Sequence, residues 1–305
     1  MSQVGSTMKE VGALAPAEGR RLLADYLELT KARLSALVVL TTAVGYVLAA
    51  GTIDWTILFW TIIGTGLAAG CASGLNQLIE MRRDALMRRT SSRPIPAGRL
   101  SPAHGLVASL LMGYAGLTAL GVFVGVAPSL LALLTIVLYA AAYTLLKPRT
   151  TLNTIVGAIC GAIPPMIGWS AGSGRLDAGA WFLAAILFLW QLPHFLALAW
   201  LHREDYARGG FIMLPATDQT GLLTAQVSLL SALALAPVCL LLTLNGLAGW
   251  WYAGGAIGLC LVLAAAALLL LVRRDDRSAR RLFLASIVVL PLLMGLMVID
   301  RGPVG

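Results

Sequence analysis

The chain has 305 residues, of which 59% are hydrophobic and only 12% charged, with a mean hydropathy of +0.85. The charged share is about half the ~25% of an ordinary globular domain, which excludes a soluble protein, and 13 prolines are too few for collagen or disorder. The net charge of +8 is read as membrane topology and contact with anionic lipid rather than nucleic-acid binding.

The first 33 residues are polar, with Glu10, Glu18, Asp25 and Glu28 among the basic residues. No apolar core or small-residue cleavage site precedes Leu34, so a cytoplasmic arm over 1–33 is expected rather than a signal peptide. The acidic residues argue against a mitochondrial transit peptide. Nine apolar stretches then follow, at about 34–51, 56–79, 104–124, 129–146, 153–171, 180–200, 222–243, 250–272 and 282–299. Each approaches the ~20 residues that a spanning helix needs, and lipid offers no partners to the edges of open strands. The expected fold is an all-α polytopic membrane protein over 34–300, with a short outer tail at 301–305.

With the N-terminus inside and the spans alternating, 20 of the 22 basic residues fall on the cytoplasmic side. Only Arg175 and Arg301 remain outside, which supports this orientation and the count of nine. The C-terminus is then expected outside.

Polar residues within spans are the first functional suspects. The second span carries a glycine ladder, Gly66, Gly70 and Gly74, suited to close helix packing. Beyond it come Asn76, Glu80 and Asp84. A step of four residues turns a helix by about 400°, so the three share one face. An amide and two carboxylates stacked at a membrane edge suit a divalent cation, and hard oxygen ligands suit magnesium. The competing reading is a solvated helix end paired with Arg82, Arg83 and Arg88. The following loop, Met87 to Pro102, holds Arg88, Arg89, Arg93 and Arg99 between stiffening prolines. Guanidinium groups beside a metal face fit phosphate oxygens.

Lys147 ends the fourth span, as a snorkelling anchor or a site cation, with Tyr143 one turn before it and Asn153 opening the fifth span. The sixth holds Trp190, Gln191, Pro193 and His194. Proline frees a backbone carbonyl, and a neutral imidazole there could bind a metal or shuttle a proton. His104 and His202 read as interface or loop residues. Trp55, Trp60, Trp181, Trp250 and Trp251 read as an interfacial belt, and Trp169 and Trp190 as core or pocket lining. Cys71, Cys160, Cys239 and Cys260 stand apart, without zinc-like spacing.

The run Asn76-x-x-x-Glu80-x-x-x-Asp84-x-x-Met87-x-Arg89-Thr90-x-x-Arg93-Pro94-x-x-x-Gly98 resembles the signature of UbiA-like intramembrane prenyltransferases, most nearly their heme-farnesylating branch. Asp25 to Arg33, Tyr143 to Asn153, Gly161 to Trp169 and Trp190 to Leu198 are similar to further family segments. Glu204-Asp205-Tyr206 and Met213-Leu214-Pro215 extend the likeness to about residue 215. The departures are Glu80 where aspartate is common, Pro148 within a usual Lys-Arg pair, Leu196 for a frequent tryptophan, and a second aspartate-rich motif reduced to Asp205.

The resemblance implies nine helices around a central cavity and transfer of a farnesyl group from farnesyl diphosphate to a vinyl group of heme B, giving heme O. It implies Mg2+ held by Asn76, Glu80, Asp84 and Asp205, and diphosphate held by Arg89, Arg93 and Lys147. Catalytic roles fall to Asp84, Lys147, His194 and Asp205, and cavity lining to Tyr143, Asn153, Trp169 and Trp190. It also implies a bacterial inner-membrane location and a heme A synthase as recipient of the product. The rival readings are a prenyltransferase for quinone precursors or chlorophyllide, and, from another class, a transporter or heme-delivery protein. A structural scaffold would not need the aligned Asn76, Glu80 and Asp84.

Overall fold

The computed structural model describes residues 16–302, and side chains from residue 21 onward. The expectations for residues 1–15 and for the last three residues of the outer tail lie outside these. Among the described residues the chain has nine helices long and apolar enough to cross a membrane, and no strand longer than an isolated bridge. They are Ala32–Ala49, Trp55–Asp84, Pro102–Phe123, Val126–Leu146, Asn153–Ser173, Ala178–Leu201, Leu222–Leu244, Trp250–Arg273 and Asp276–Ile299. The chain is an all-α, multi-pass membrane protein.

Two boundaries differ most from the hydropathy reading, and one helix lies outside it. The second span runs on to Asp84 rather than ending near 79, because its polar end is enclosed by neighbours and keeps helical geometry. The ninth begins at Asp276, six residues early. A capping box starts it there: Asp275 accepts from the Ser278 N–H at 2.7 Å, and the Ser278 hydroxyl turns back to Asp275. The polar arm contains a helix, Pro16–Leu29, which hydropathy alone missed. Two short helices, Arg203–Arg208 and Leu214–Thr217, lie between the sixth and seventh spans.

Small residues allow the tight crossings. A Cβ on Gly168 would lie 1.8 Å from the Thr42 carbonyl oxygen, so the fifth span meets the first backbone to backbone. The ladder of the second span serves two neighbours: Gly74 abuts Ser109 of the third, while Gly66 faces Val39 of the first. A continuous apolar core joins the first and the fifth to ninth spans. Trp55, Trp181, Trp250 and Trp251 are exposed at span starts opposite the arginine-rich face, as a belt requires. Trp60 instead stacks on Phe123, with centroids 4.3 Å apart.

Two local features shape the arginine-rich face. Residues Leu138–Tyr143 of the fourth span form a π-helical turn, a widening often found at functional sites. The arm helix is tied down by Arg99, which donates to Asp25 Oδ1 at 2.6 Å and Glu28 Oε2 at 2.7 Å. Gln77 of the second span donates to the carbonyls of Glu28 and Leu29. These contacts close the arm over the end of the second span.

Candidate active site: a charged mouth on an apolar cavity

A cavity of about 330 Å³ runs from the arginine-rich face into the bundle. Its mouth is lined by Glu80, Asp84, Arg89, Arg93, Lys31 and Lys147, and its depth by Leu187, Trp190, Gln191, His194, Phe195 and Leu290. Four basic side chains face two carboxylates at the mouth, which favours an anion even before any metal is considered.

The helical face expected from spacing is present. Asn76, Glu80 and Asp84 are all buried. Their partners are not the neighbouring arginines of their own helix end. Asn76 Oδ1 accepts from Lys31 Nζ at 2.6 Å, while its Nδ2 donates to Thr144 Oγ1 at 3.0 Å. Lys147 Nζ lies 2.8 Å from Glu80 Oε1 and 3.2 Å from Oε2, and only the second contact is aligned as a hydrogen bond. Arg93 Nη1 donates to Asp84 Oδ2 at 2.5 Å. Arg83 turns away and donates to the carbonyls of Gly209 and Gly210, 3.0 Å each.

Burial works against the Lys147 charge, but the Glu80 carboxylate outweighs it and holds this ammonium above the usual lysine value. Lys31 has no such partner. Burial first, then the Arg93 and Lys147 charges, lower it to about 7. Lys31 lines this mouth, whereas the sequence reading treated it as a topology charge within the family-like Asp25 to Arg33 segment and gave it no site role. It stands in the left-handed region, φ 49°, at the break between the arm helix and the first span. That kink aims its side chain across to the second span.

A magnesium ion fits this donor set. Asp84 Oδ1 is a buried carboxylate oxygen without a hydrogen-bond donor, and Glu80 Oε1, 2.8 Å from the Lys147 ammonium, has no aligned hydrogen bond; magnesium commonly takes one or two carboxylates and completes its shell with water and phosphate. Among the described residues no group of three or more His, Cys, Asp or Glu side chains converges. Asp205 does not join Glu80 and Asp84. Its oxygens accept from the backbone N–H groups of Arg88 at 2.9 Å and Arg89 at 3.1 Å, and from Arg208 at 2.7 Å. Burial opposes its charge, but the Arg89 and Arg88 amides and the Arg208 guanidinium hold its carboxyl below the ordinary aspartate range. It lines a separate polar crevice with Arg203, His202 and Glu204. The physical reason is the short helix Arg203–Arg208, which turns Asp205 toward the arginine loop.

The other expected residues divide. Tyr143 lines the cavity, and Lys147 Nζ sits 4.5 Å from its ring centroid. Tyr139, which sequence reading passed over, stands beside it with ring centroids 5.1 Å apart. Arg89 reaches the mouth with its guanidinium 5.5 Å from the Tyr206 ring centroid. Asn153 lines the cavity, and its Nδ2 ties the fifth span to the Thr150 and Ile212 carbonyls. Trp190 and His194 stand at depth. Trp169 does not reach the cavity; it packs on Gly179, whose Cβ would lie 2.1 Å from its ring. The sixth span continues as helix through Pro193.

Residues 38–288 match the UbiA prenyltransferase family. A protoheme IX farnesyltransferase from Opitutus terrae is 45% identical over 279 residues, covering 91% of this chain and 94% of that one. Solved structures repeat the fold. A digeranylgeranylglyceryl phosphate synthase structure aligns with a TM-score of 0.77 at 15% identity, covering 92% of this chain and 98% of the other. A UbiA homologue from Archaeoglobus fulgidus bound to GPP and Mg2+ aligns with a TM-score of 0.64 at 12% identity, covering 90% and 99%.

Proposed function

We infer, from the premise that this chain belongs to the UbiA prenyltransferase family, that it transfers a farnesyl group from farnesyl diphosphate to a vinyl group of protoheme IX, giving heme O and diphosphate. One observation carries the assignment of roles: a single cavity joins a cationic mouth, in which the two buried carboxylates of Glu80 and Asp84 stand and Asp84 Oδ1 is left without a donor, to an apolar, aromatic interior. The mouth suits a diphosphate, and the interior suits a prenyl chain and a flat macrocycle.

Arg89, Arg93, Lys147 and Lys31 bind the diphosphate. Asn76, Glu80 and Asp84 would hold Mg2+, and Asp205 anchors the arginine loop rather than the ion. When bound, the metal offsets the charge that builds on the departing diphosphate. The lysine and arginine donors take the remaining negative charge, already oriented before the bond breaks. As the allylic C–O bond opens, the Tyr139 and Tyr143 rings on the cavity wall are the aromatic groups available to shield the carbon that becomes positive. The terminal vinyl carbon of heme attacks it, forming the new C–C bond. The ring-side carbon then takes a water oxygen and releases a proton, which completes the hydroxyethyl group. The apolar wall keeps other water from the cation.

The chain's charge partition supports an N-terminus in the cytoplasm of a bacterial inner membrane, with the diphosphate site on that side. A heme A synthase is the expected consumer of the product, since it acts on heme O.

The test uses membranes containing the purified chain, heme B, farnesyl diphosphate and magnesium, with a chelator control. Chromatography and mass spectrometry should show hydroxyethylfarnesyl heme, lost on chelation. Unchanged heme B in folded protein, with turnover of an aromatic acceptor, would overturn the heme assignment and leave the prenyltransferase fold in place.

A further inference from the structure

The last span brings one polar side chain to the cavity wall. Ser286 interrupts an apolar run from Leu282 to Leu293 and is fully buried. Its carbonyl accepts from Trp190 Nε1 at 2.9 Å, and its hydroxyl lies 2.8 Å from His194 Nδ1. The same hydroxyl oxygen is 2.6 Å from the Phe283 carbonyl oxygen. Two oxygens this close need a proton between them, and a carbonyl has none to give. The serine proton therefore points at Phe283, and Ser286 Oγ can only accept from His194. In the neutral ring this places the hydrogen on Nδ1 and the lone pair on Nε2.

The ring is also held in plane. His194 stacks between Trp190, centroids 5.1 Å apart at 18°, and Phe283, 5.0 Å apart at 26°. A ring flip within this stack would put Cδ2 where Nδ1 now meets Ser286 and would lose the serine contact. Among the described residues Nε2 has no hydrogen-bond partner and is not a sealed orphan, and His194 lines the cavity. Of the chain's three histidines it alone does so. Around it the wall is mostly apolar, with Leu187, Phe195 and Leu290 beside the polar Gln191.

We propose that Ser286 is a positioning residue that fixes the His194 tautomer, so that Nε2 is presented to the iron of the heme substrate as an axial ligand. This rests on heme as the acceptor. Histidines that bind metal commonly donate their other N–H to a fixed acceptor, which sets the tautomer and raises ligand basicity. Here that acceptor is a hydroxyl whose own proton is already committed. An iron–imidazole bond in mid-cavity would hold the macrocycle by its centre and leave its edge free to meet the farnesyl carbon.

The experiment is spectroscopic and needs no turnover. The full-length protein is titrated with heme B, and in parallel with metal-free protoporphyrin IX, without farnesyl diphosphate. Wild type should show an imidazole-ligated iron spectrum. His194→Ala should lose it and regain it with added imidazole, while binding metal-free protoporphyrin as wild type does. Ser286→Ala should weaken heme B binding about 10-fold and lower the iron–histidine stretching frequency, with Ser286→Thr restoring both. A wild-type iron spectrum in His194→Ala would overturn the proposal while heme binding stands. Equal losses for heme B and metal-free protoporphyrin would also overturn it, showing a role in shape alone. Failure of wild type to bind either macrocycle would remove the heme reading itself, and the proposal with it.

Discussion

Lys31 and Asn76 meet across two spans, ammonium to amide oxygen at 2.6 Å, although 45 residues separate them. The contact sets one lysine at the rim of the diphosphate site, where Tyr139 also reaches it at 3.4 Å. A hydrogen bond to a charged group is worth about 1.5–3 kcal/mol. Lys31→Ala should therefore raise KM for farnesyl diphosphate roughly 10- to 100-fold. Lys31→Arg should recover most of this, and the orientation set by the remaining inner charges should not change. Steady-state kinetics at saturating heme B, with protease mapping of the loops, checks both statements.

Glu80 and Lys147 form a buried pair, so removing one partner should cost more than removing both. Breaking such a pair leaves an uncompensated charge, at about 3–5 kcal/mol. Lys147→Met alone should lower the thermal midpoint in detergent markedly. The double variant Lys147→Met with Glu80→Gln should return most of that stability and none of the activity. A thermal-shift double-mutant cycle reads the coupling directly. Additive losses would show that the two charges do not depend on each other.

The spans and the Asn76, Glu80, Asp84 face were legible because each rests on a strong periodic signal: unbroken apolar length in one case, a step of four in the other. The partners of that face were not. Lys31, Lys147 and Arg93 reach it from another helix end or from a loop, and hydropathy does not encode such crossings. Asp205 entered the metal set through resemblance to the family's second aspartate-rich motif, and a motif does not encode the direction of a side chain. In the structure the short helix that carries it turns it to the amides of Arg88 and Arg89. Ser286 gave only a faint sign, a lone hydroxyl in an apolar run. The arm helix was hidden because its apolar residues alternate with charges, of which Asp25 and Glu28 meet Arg99, while Gln77 holds the carbonyls at its end.

Asp84 offers one oxygen to Arg93 and leaves the other without a donor. Asp84→Asn keeps the size of the side chain and removes the charge. Turnover should fall at least about 100-fold, as when an oriented electrostatic group is lost. Added magnesium should not restore it, whereas chelated wild type should recover fully. Diphosphate release in a coupled assay measures this. Wild-type release by the variant would rule out Asp84 as the metal carboxylate.

Asp205 is expected to govern the arginine loop rather than the ion. Its folded carboxyl titrates below the ordinary aspartate value, which lies near 3.9. The tether it provides is thus complete above that value and is lost only as pH falls through the lowered folded value. In wild type, peptic cleavage within residues 85–101 should stay slow from about pH 5 down to pH 4 and rise only below the range where the free side chain titrates. Asp205→Asn, which cannot accept from both amides with equal strength, should be cut readily already at pH 5. Its KM for farnesyl diphosphate should rise, because Arg89 and Arg93 are no longer held in place, while its magnesium requirement stays that of wild type. A large increase in the magnesium concentration needed for half-activity, with the loop still protected, would return Asp205 to the metal site and remove its role as an anchor.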